Sequence, residues 1–499
     1  MSPRRVLIAT LLIGTLVRLA GGWAMGLGVD ESYQVANADT FQLSYFDHPP
    51  LAFWLSWATK RLVPAATPLL LRLPFIVLTT ISTLLVARLG TRLHDARAGA
   101  FGALLFNLAP LWGIAGGWAL PDVPLTVGIL LAANGLLDVL DAKGSPHGWV
   151  GWMITGAGLG IALLSKYHAV LLVVGIVAFL FATRTQRRRL AHPAPWVAAL
   201  VALVMLSPVL IWNWQHGWVS LTFQAGRAVP GVGHRLVGLA TGLLGPALFL
   251  TPWLWWPLLR EGARAVRRGP NDERGFLLAC LAAPPVLLFS LLPLLGARVL
   301  AHWAGPGFLL VVPLLGREVA TRWEVHSDSA VHRWLRLAVV ATPVLWLAVL
   351  PQASWSAWRR VIPAWPPTLD PTYEAVGWVD LRDWASRHGY LDRPELFAAT
   401  TSWRDGGKAA VALGADLPVI VLGPDPRNFA FSRDPRAMLG RDAILFGPED
   451  RFAEAMATCR PHFRAIEPLP SLPITRGGQV ELRLGLARAR GFAGPSPVR

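Results

Sequence analysis

From the N-terminus to about residue 351 the chain is a succession of apolar runs broken by short polar connections. Each run approaches the roughly 20 residues that an α-helix needs to cross a bilayer. The pattern predicts spans at 6–27, 69–87, 98–117, 121–140, 149–165, 168–183, 196–213, 236–259, 275–296, 299–316 and 335–351, about eleven in all. The stretch 149–183 also fits one long broken segment. Arg4 and Arg5 ahead of the first run give Met1 to Gly28 the outline of a signal sequence, but no small-residue cleavage site precedes Asp30. An uncleaved first span is therefore expected.

Beyond residue 351 the pattern changes. Pro363, Pro366, Pro367 and Pro371 mark a breaker-rich linker over 352–372. Short apolar runs follow at Leu396-Phe397-Ala398-Ala399, Val419-Ile420-Val421-Leu422 and Ala443-Ile444-Leu445-Phe446, with helical patterns at 374–388 and 403–413 between them. Strands alternating with helices predict a small α/β domain over 373–499, large enough for its own core. The expected organisation is a membrane part over 1–351, with a first outer loop at 28–68, then the linker and this domain.

Composition sharpens the picture. Only 15% of residues are charged, against about a quarter in soluble domains, so a polytopic α-helical membrane protein is expected. Many of the 24 Trp, among them Trp23, Trp118, Trp149, Trp253 and Trp303, lie at run ends, where interfacial anchoring favours them. The net charge of +16 is spread over short loops with no basic aromatic module, which argues against nucleic acid. Instead Arg4, Arg5, Arg88, Arg92, Arg97, Arg184, Arg187, Arg188, Arg189, Arg260, Arg264, Arg267, Arg268, Arg317 and Arg322 fall on one side of the predicted spans. That side is expected to be cytoplasmic, and an odd number of spans sends the C-terminus outward. Cys280 in an apolar run and Cys459 in the polar part make neither a disulfide nor a metal cluster an expectation.

The chemically suggestive residues all fall on the opposite, outer side. They are Asp30-Glu31, Asp47-His48-Pro49-Pro50, Pro121-Asp122, Ser165-Lys166-Tyr167-His168, His216, and Arg298 with His302. Each has a plainer role beside the chemical one: Asp30 and Asp122 as helix caps, Lys166 snorkelling to the interface, Arg298 as an anchor, His216 as a loop histidine. Together they supply acids able to take a proton from a hydroxyl and cations able to hold a departing phosphate. Residues 51–62 fit a helix lying along the interface.

These motifs, with Tyr45-Phe46-Asp47-His48-Pro49-Pro50-Leu51, Leu164-Ser165-Lys166-Tyr167 and Pro208-Val209-Leu210-Ile211-Trp212-Asn213-Trp214-Gln215-His216-Gly217-Trp218, resemble the GT-C superfamily of glycosyltransferases. The likeness is strongest to bacterial protein mannosyltransferases and lipid A aminoarabinose transferases, and covers roughly residues 1–350. It implies an inverting transferase that uses a polyprenyl-phosphate-linked sugar at the periplasmic face of the bacterial inner membrane. Asp30 matches the family's general base, and Asp122 its second outer acid. Where the aminoarabinose transferases carry Glu-Lys-Pro-Pro, this chain has Asp47-His48-Pro49-Pro50, and histidine is a weaker, pH-dependent cation. The expectation for the phosphate therefore moves to Lys166 and Arg298, with Glu31, Asp47, His48, Tyr167, His216 and His302 as further substrate contacts. A divalent metal at Asp47 with His216 or His302 is left open by spacing alone, and no cofactor is assigned.

The expected reaction is attack of an acceptor hydroxyl on the anomeric carbon, with a lipid, glycan or protein as acceptor and the membrane lipid as surroundings. Two other classes compete. A transporter or flippase of lipid-linked sugars would place charges along a path through the membrane, and a scaffold would leave Asp30, Asp47 and Asp122 without purpose.

Overall fold

The computed structural model describes residues 2–64, 66–142, 147–228, 235–297, 299–325 and 330–494. Along the chain the helices are Pro3–Ala24 (α1), Val29–Asn37 (α2), Leu51–Leu62 (α3), Pro68–Leu93 (α4), Ala96–Leu108 (α5), Asp122–Asp141 (α6), His147–Ser165 (α7), Val170–Ala182 (α8) and Pro193–Gln215 (α9). They continue as Val219–Ala228 (α10), Arg235–Leu244 (α11), Pro246–Leu250 (α12), Pro252–Arg268 (α13), Glu273–Leu291 (α14), Gly305–Val325 (α15) and Ala330–Trp355 (α16). Val379–Arg387 (α17), Trp403–Leu413 (α18) and Phe452–Cys459 (α19) accompany five strands near the C-terminus. Two compact units emerge: Met1–Ala20, His48–Ala52 and Arg72–Leu345 form one, and Gly21–Asp47, Phe53–Leu71 and Trp346–Arg499 the other. Most of residues 28–68, which the apolar pattern groups with the membrane part, thus share a unit with the C-terminal sheet.

The first unit is helical. Among the described residues seven helical segments are long and apolar enough to cross a membrane, or up to nine if each of two bent pairs is one span, fewer than the eleven expected. The differences have local causes. The predicted span 98–117 is α5 followed by an 83° bend into Pro110–Gly117. Pro110 cannot continue the hydrogen-bond ladder, and carbonyls freed at such a break need partners within the unit. Buried Arg18 of α1 supplies one, donating Nη1 to Trp112 O at 3.3 Å and to Asn107 Oδ1 at 2.9 Å. The Thr79 hydroxyl donates to Gly116 O. The predicted span 236–259 is broken into α11, α12 and the start of α13. Pro246 brings no N–H to the ladder, and Pro252 disfavours helix in the residue before it, where Thr251 sits at φ +67°. The runs 275–296 and 299–316 become α14 and α15, the latter shifted toward the C-terminus.

Helices α6 and α7 pack backbone to backbone. A Cβ on Gly128 would lie 2.5 Å from Ala162 N, and one on Gly135 would lie 2.7 Å from both Gly151 O and Thr155 N. Small residues let the two backbones approach this closely, as in membrane helix pairs generally. The pairing is antiparallel, with 128 against 162 and 135 against 151, so the first residue of α6 meets the residue just after α7. Those residues are Asp122 and Lys166.

The second unit is built on a five-stranded sheet in the order β2-β1-β3-β5-β4. Strands Leu396–Thr400 (β1), Val419–Val421 (β2) and Asp442–Pro448 (β3) are parallel, and Phe463–Arg476 (β4) and Gln479–Phe492 (β5) complete it antiparallel. The three predicted apolar runs are β1, β2 and β3. Their continuous burial suits parallel strands covered on both faces. Leu396, Ala398, Val419, Val421, Ile444 and Phe446 face a core shared with α17 and α18, whereas Phe397, Ala399, Ile420, Ala443 and Leu445 face α19. Tyr33, Ala36, Tyr45 and Phe53 from the N-terminal part of the chain join the first of these cores. The β4–β5 hairpin is an addition to the sequence prediction, turning at Gly477 and Gly478, whose φ of +57° and +80° suits a two-glycine turn.

Candidate functional site

In the helical unit the Asp122–Lys166 pair is the centre of a polar cluster. Lys166 Nζ donates to Asp122 Oδ1 and Oδ2 at 2.8 and 2.9 Å. No side-chain cap is made at the start of α6, and Asp122, in its first turn, makes the ion pair from a position that also suits the helix dipole. Lys166 is buried and reaches inward to a carboxylate instead of snorkelling. His302 and His48 lie within electrostatic reach of Asp122. Four of the residues singled out from sequence are therefore brought together, from four separate segments.

The neighbours of this cluster are aromatic. His168 packs against Phe289 at 4.7 Å and Trp303 at 5.0 Å between ring centroids, and His302 meets Phe249 at 5.5 Å. Tyr167, between Lys166 and His168, opens the short turn that leads into α8. His216 behaves differently. Its ring stacks on Trp212 at 4.1 Å and its Nδ1 lies 2.7 Å from Trp212 O, so it turns back onto the end of its own helix α9. Arg298 lies outside the described residues.

In the second unit, α2 carries the acid pair of the first loop. Val29 and all residues from Glu31 to Asn37 are buried, whereas Asp30 alone of this helix is exposed. Glu31 folds back to accept from Gly28 N–H at 2.8 Å, which is the N3-carboxylate half of a capping box. That places it in helix capping, the role weighed for Asp30 from sequence, and leaves Asp30 at the surface of the unit. The mount of α2 is α18: a Cβ on Gly407 would lie 2.7 Å from Tyr33 N, and Lys408 Nζ donates to Leu27 O at 2.6 Å.

Asp47 is wholly buried and held on both oxygens. Tyr33 Oη donates to Oδ1 at 2.9 Å and Arg427 Nη1 to Oδ2 at 3.1 Å. Burial, then the adjacent Asp47 charge, push the Tyr33 hydroxyl well above its ordinary pKa, so it remains a donor. The Arg427 guanidinium lies 3.8 Å from the Trp403 ring centroid. With these donors in place Asp47 does not fit a divalent metal. Among the described residues no group of three or more His, Cys, Asp or Glu side chains gathers to hold one.

Tyr33, Trp403, Arg427 and Asn428 are additions to the set expected from sequence. A usable signal existed for the last two. The segment Gly423-Pro424-Asp425-Pro426-Arg427-Asn428 follows the predicted strand at 419–422, and open α/β sheets present functional groups beyond the carboxyl ends of their parallel strands.

Residues 47–212 match the family model described as dolichyl-phosphate-mannose-protein mannosyltransferase. A curated relative, the lipid A galacturonosyltransferase RgtD of Rhizobium johnstonii, is 26% identical over 291 residues. That alignment takes in 55% of this chain and spans 57% of the relative's length. Among solved structures, ArnT from Cupriavidus metallidurans bound to undecaprenyl phosphate superposes with a TM-score of 0.63 at 16% identity, covering 98% of this chain and 99% of that one. Its apo state gives 0.68 at 14% identity, covering 99% and 100%. The apo oligosaccharyltransferase of Archaeoglobus fulgidus gives 0.54 at 13% identity, over 90% of this chain and 70% of that one. The architecture expected from sequence, a polytopic helical protein with a small C-terminal sheet unit, is the architecture found, and its fold is similar to that of ArnT.

Proposed function

We propose, from this GT-C fold and its resemblance to ArnT, that the chain is an inverting glycosyltransferase. It moves a sugar from a polyprenyl-phosphate carrier to a hydroxyl or phosphate of a lipid, glycan or protein acceptor. The site of action is the periplasmic face of the bacterial inner membrane. The observation that carries this reading is Asp30, an exposed carboxylate on a helix whose every other residue is buried. A helix so fixed holds its one outward acid in a constant direction, as a general base requires.

In the reaction Asp30 takes the proton of the acceptor hydroxyl as its oxygen bonds to the anomeric carbon. The bond from that carbon to the phosphate oxygen breaks with inversion, and polyprenyl phosphate departs carrying the electron pair. Lys166 opposes the charge that grows on the phosphate. Its partner Asp122 keeps the ammonium aimed while His48 and His302 adjust the local field. Positioning and charge stabilisation suffice because the phosphate is already a competent leaving group. The reading puts the C-terminal sheet unit on the outer side, as the arginine bias of the connections favours.

The test is direct. Purified full-length protein in bacterial lipid vesicles is incubated with a radiolabelled polyprenyl-phosphate sugar and a lipid A acceptor, and the products are separated. Transfer of label with release of polyprenyl phosphate supports the proposal. Movement of intact labelled carrier between leaflets without transfer would mark a flippase.

A further inference from the structure

We propose that Arg427 is a positioning residue for the reaction: through Asp47 and Tyr33 it fixes α2, and with it the direction in which Asp30 meets the acceptor. This rests on the assignment of Asp30 as base. It gives the C-terminal sheet unit a part in catalysis that is independent of which acceptor it faces.

The geometry forms a closed clasp. Arg427 bonds Asp47 at 3.1 Å, Tyr33 Oη bonds the other oxygen of Asp47 at 2.9 Å, and Asn428 N–H donates to Tyr33 Oη at 3.0 Å. Asn428 spans further, accepting from Phe46 N–H at 2.9 Å and donating Nδ2 to Asn37 Oδ1 at 3.2 Å. Ser432 Oγ donates to the same Asn37 oxygen at 2.8 Å. The loop after β2 thus grips α2 in its middle, at Tyr33, and at its last residue, Asn37.

Arg427 is held in a costly conformation to do this. Its φ of +49° lies in the left-handed region that side chains other than glycine rarely adopt. Such a residue persists where its surroundings over-determine it, and these residues gather at functional sites. Here the surroundings are Trp403 beneath the guanidinium, Asp47 on one side and Asp425 3.6 Å from Nε. A plain packing role would not require a charged, strained residue beside a wholly buried carboxylate. Orientation does, because a bonded and charged pair resists rotation more than apolar contact. Asp47, engaged on both oxygens, is a link in the clasp and not itself a proton acceptor.

The experiment is a double-mutant cycle on the full-length protein in vesicles, read as steady-state turnover with polyprenyl-phosphate sugar and lipid A. Arg427→Gln is expected to lower kcat about 10²-fold, the scale of a misplaced base, with donor KM within about twofold; the melting midpoint falls, because buried Asp47 loses its cation, but the protein stays folded at the assay temperature. Arg427→Lys, which keeps the charge, recovers part of the loss. In an Asp30→Asn background Arg427→Gln removes nothing further, because the base it aims is gone. Equal losses with and without Asp30 overturn the proposal, as does an Arg427→Gln enzyme with parental kcat. Should Arg427→Gln not fold, Tyr33→Phe, which deletes one hydroxyl, takes its place in the same cycle. Full turnover by Asp30→Asn alone would refute the base assignment, an outcome distinct from either.

Discussion

Lys166 grips both carboxylate oxygens of Asp122, 44 residues away in sequence, at 2.8 and 2.9 Å. The contact exists because α6 and α7 pack backbone to backbone at Gly128 and Gly135. Lys166 is thereby drawn inward to a carboxylate instead of snorkelling. The pair also means that a phosphate would meet an ammonium already partly neutralised, with His48 and His302 nearby.

Lys166→Met should therefore do two things. It leaves Asp122 without its main cation, at a cost on the order of 2 kcal/mol, seen as a lower melting midpoint in detergent. It should also reduce turnover by about 10²-fold, the usual loss when one stabilising donor is removed. Lys166→Arg should restore the stability more fully than the turnover, because its planar fork matches the carboxylate but sits differently toward a third partner.

Gly407 should tolerate no side chain. An added Cβ would stand 2.7 and 2.8 Å from Tyr33 N and Cα, and neither backbone can withdraw while α2 is clasped. Gly407→Ala is expected to cost about 1–3 kcal/mol by overpacking. Limited proteolysis of the residues around α2 and a thermal melt would both report it.

The second unit should lose stability in acid through Asp370. Burial raises the pKa of this carboxyl, but hydrogen bonds from Thr372, Gln352 and Arg476 outweigh it and leave the pKa below its ordinary value. A depressed pKa in the fold gives stability that is complete above the ordinary value of about 3.9 and fades as pH falls toward the folded one. Unfolding followed from pH 6 to pH 2 should show this. Arg476→Met should remove several kcal/mol at neutral pH, on the order of 3–5, because Glu481 and Asp370 both lean on that guanidinium.

Asp405 should act in the opposite sense. Burial raises its pKa despite Arg451 and Ser402, so its contribution is complete below about 3.9 and is lost as pH rises through the folded value. Asp405→Asn should raise the melting midpoint at pH 7 and leave it nearly unchanged at pH 3.5. Differential scanning calorimetry at the two values decides it.

The sequence disclosed what depends on local pattern. Long apolar runs became membrane-length helices, and three short runs bounded by breakers became β1, β2 and β3. Breaks inside the runs were hidden because their tolerance depends on distant partners, Arg18 for the carbonyl of Trp112 and Thr79 for that of Gly116. The β4–β5 hairpin escaped for another reason. Pro468 and Pro473 interrupt β4, and proline demotes a run unless it lies on an edge strand, which β4 is. In the site, residue chemistry pointed to Asp30, Asp122 and Lys166 individually, but the pairing of the last two is set by helix packing. Arg427 was not singled out among the many arginines, because its backbone conformation and its partner Asp47, 380 positions earlier, are visible only once the chain is folded.

The measurement that bears most directly on the account is the rate of the transfer step in Asp30→Asn under single-turnover conditions, with polyprenyl-phosphate sugar saturating. With Asp30 as the base, the expected loss is at least about 10²-fold, within the span of general-base effects, in a protein that inserts, melts and binds the donor as the parent does. A transfer rate equal to the parent's would contradict it.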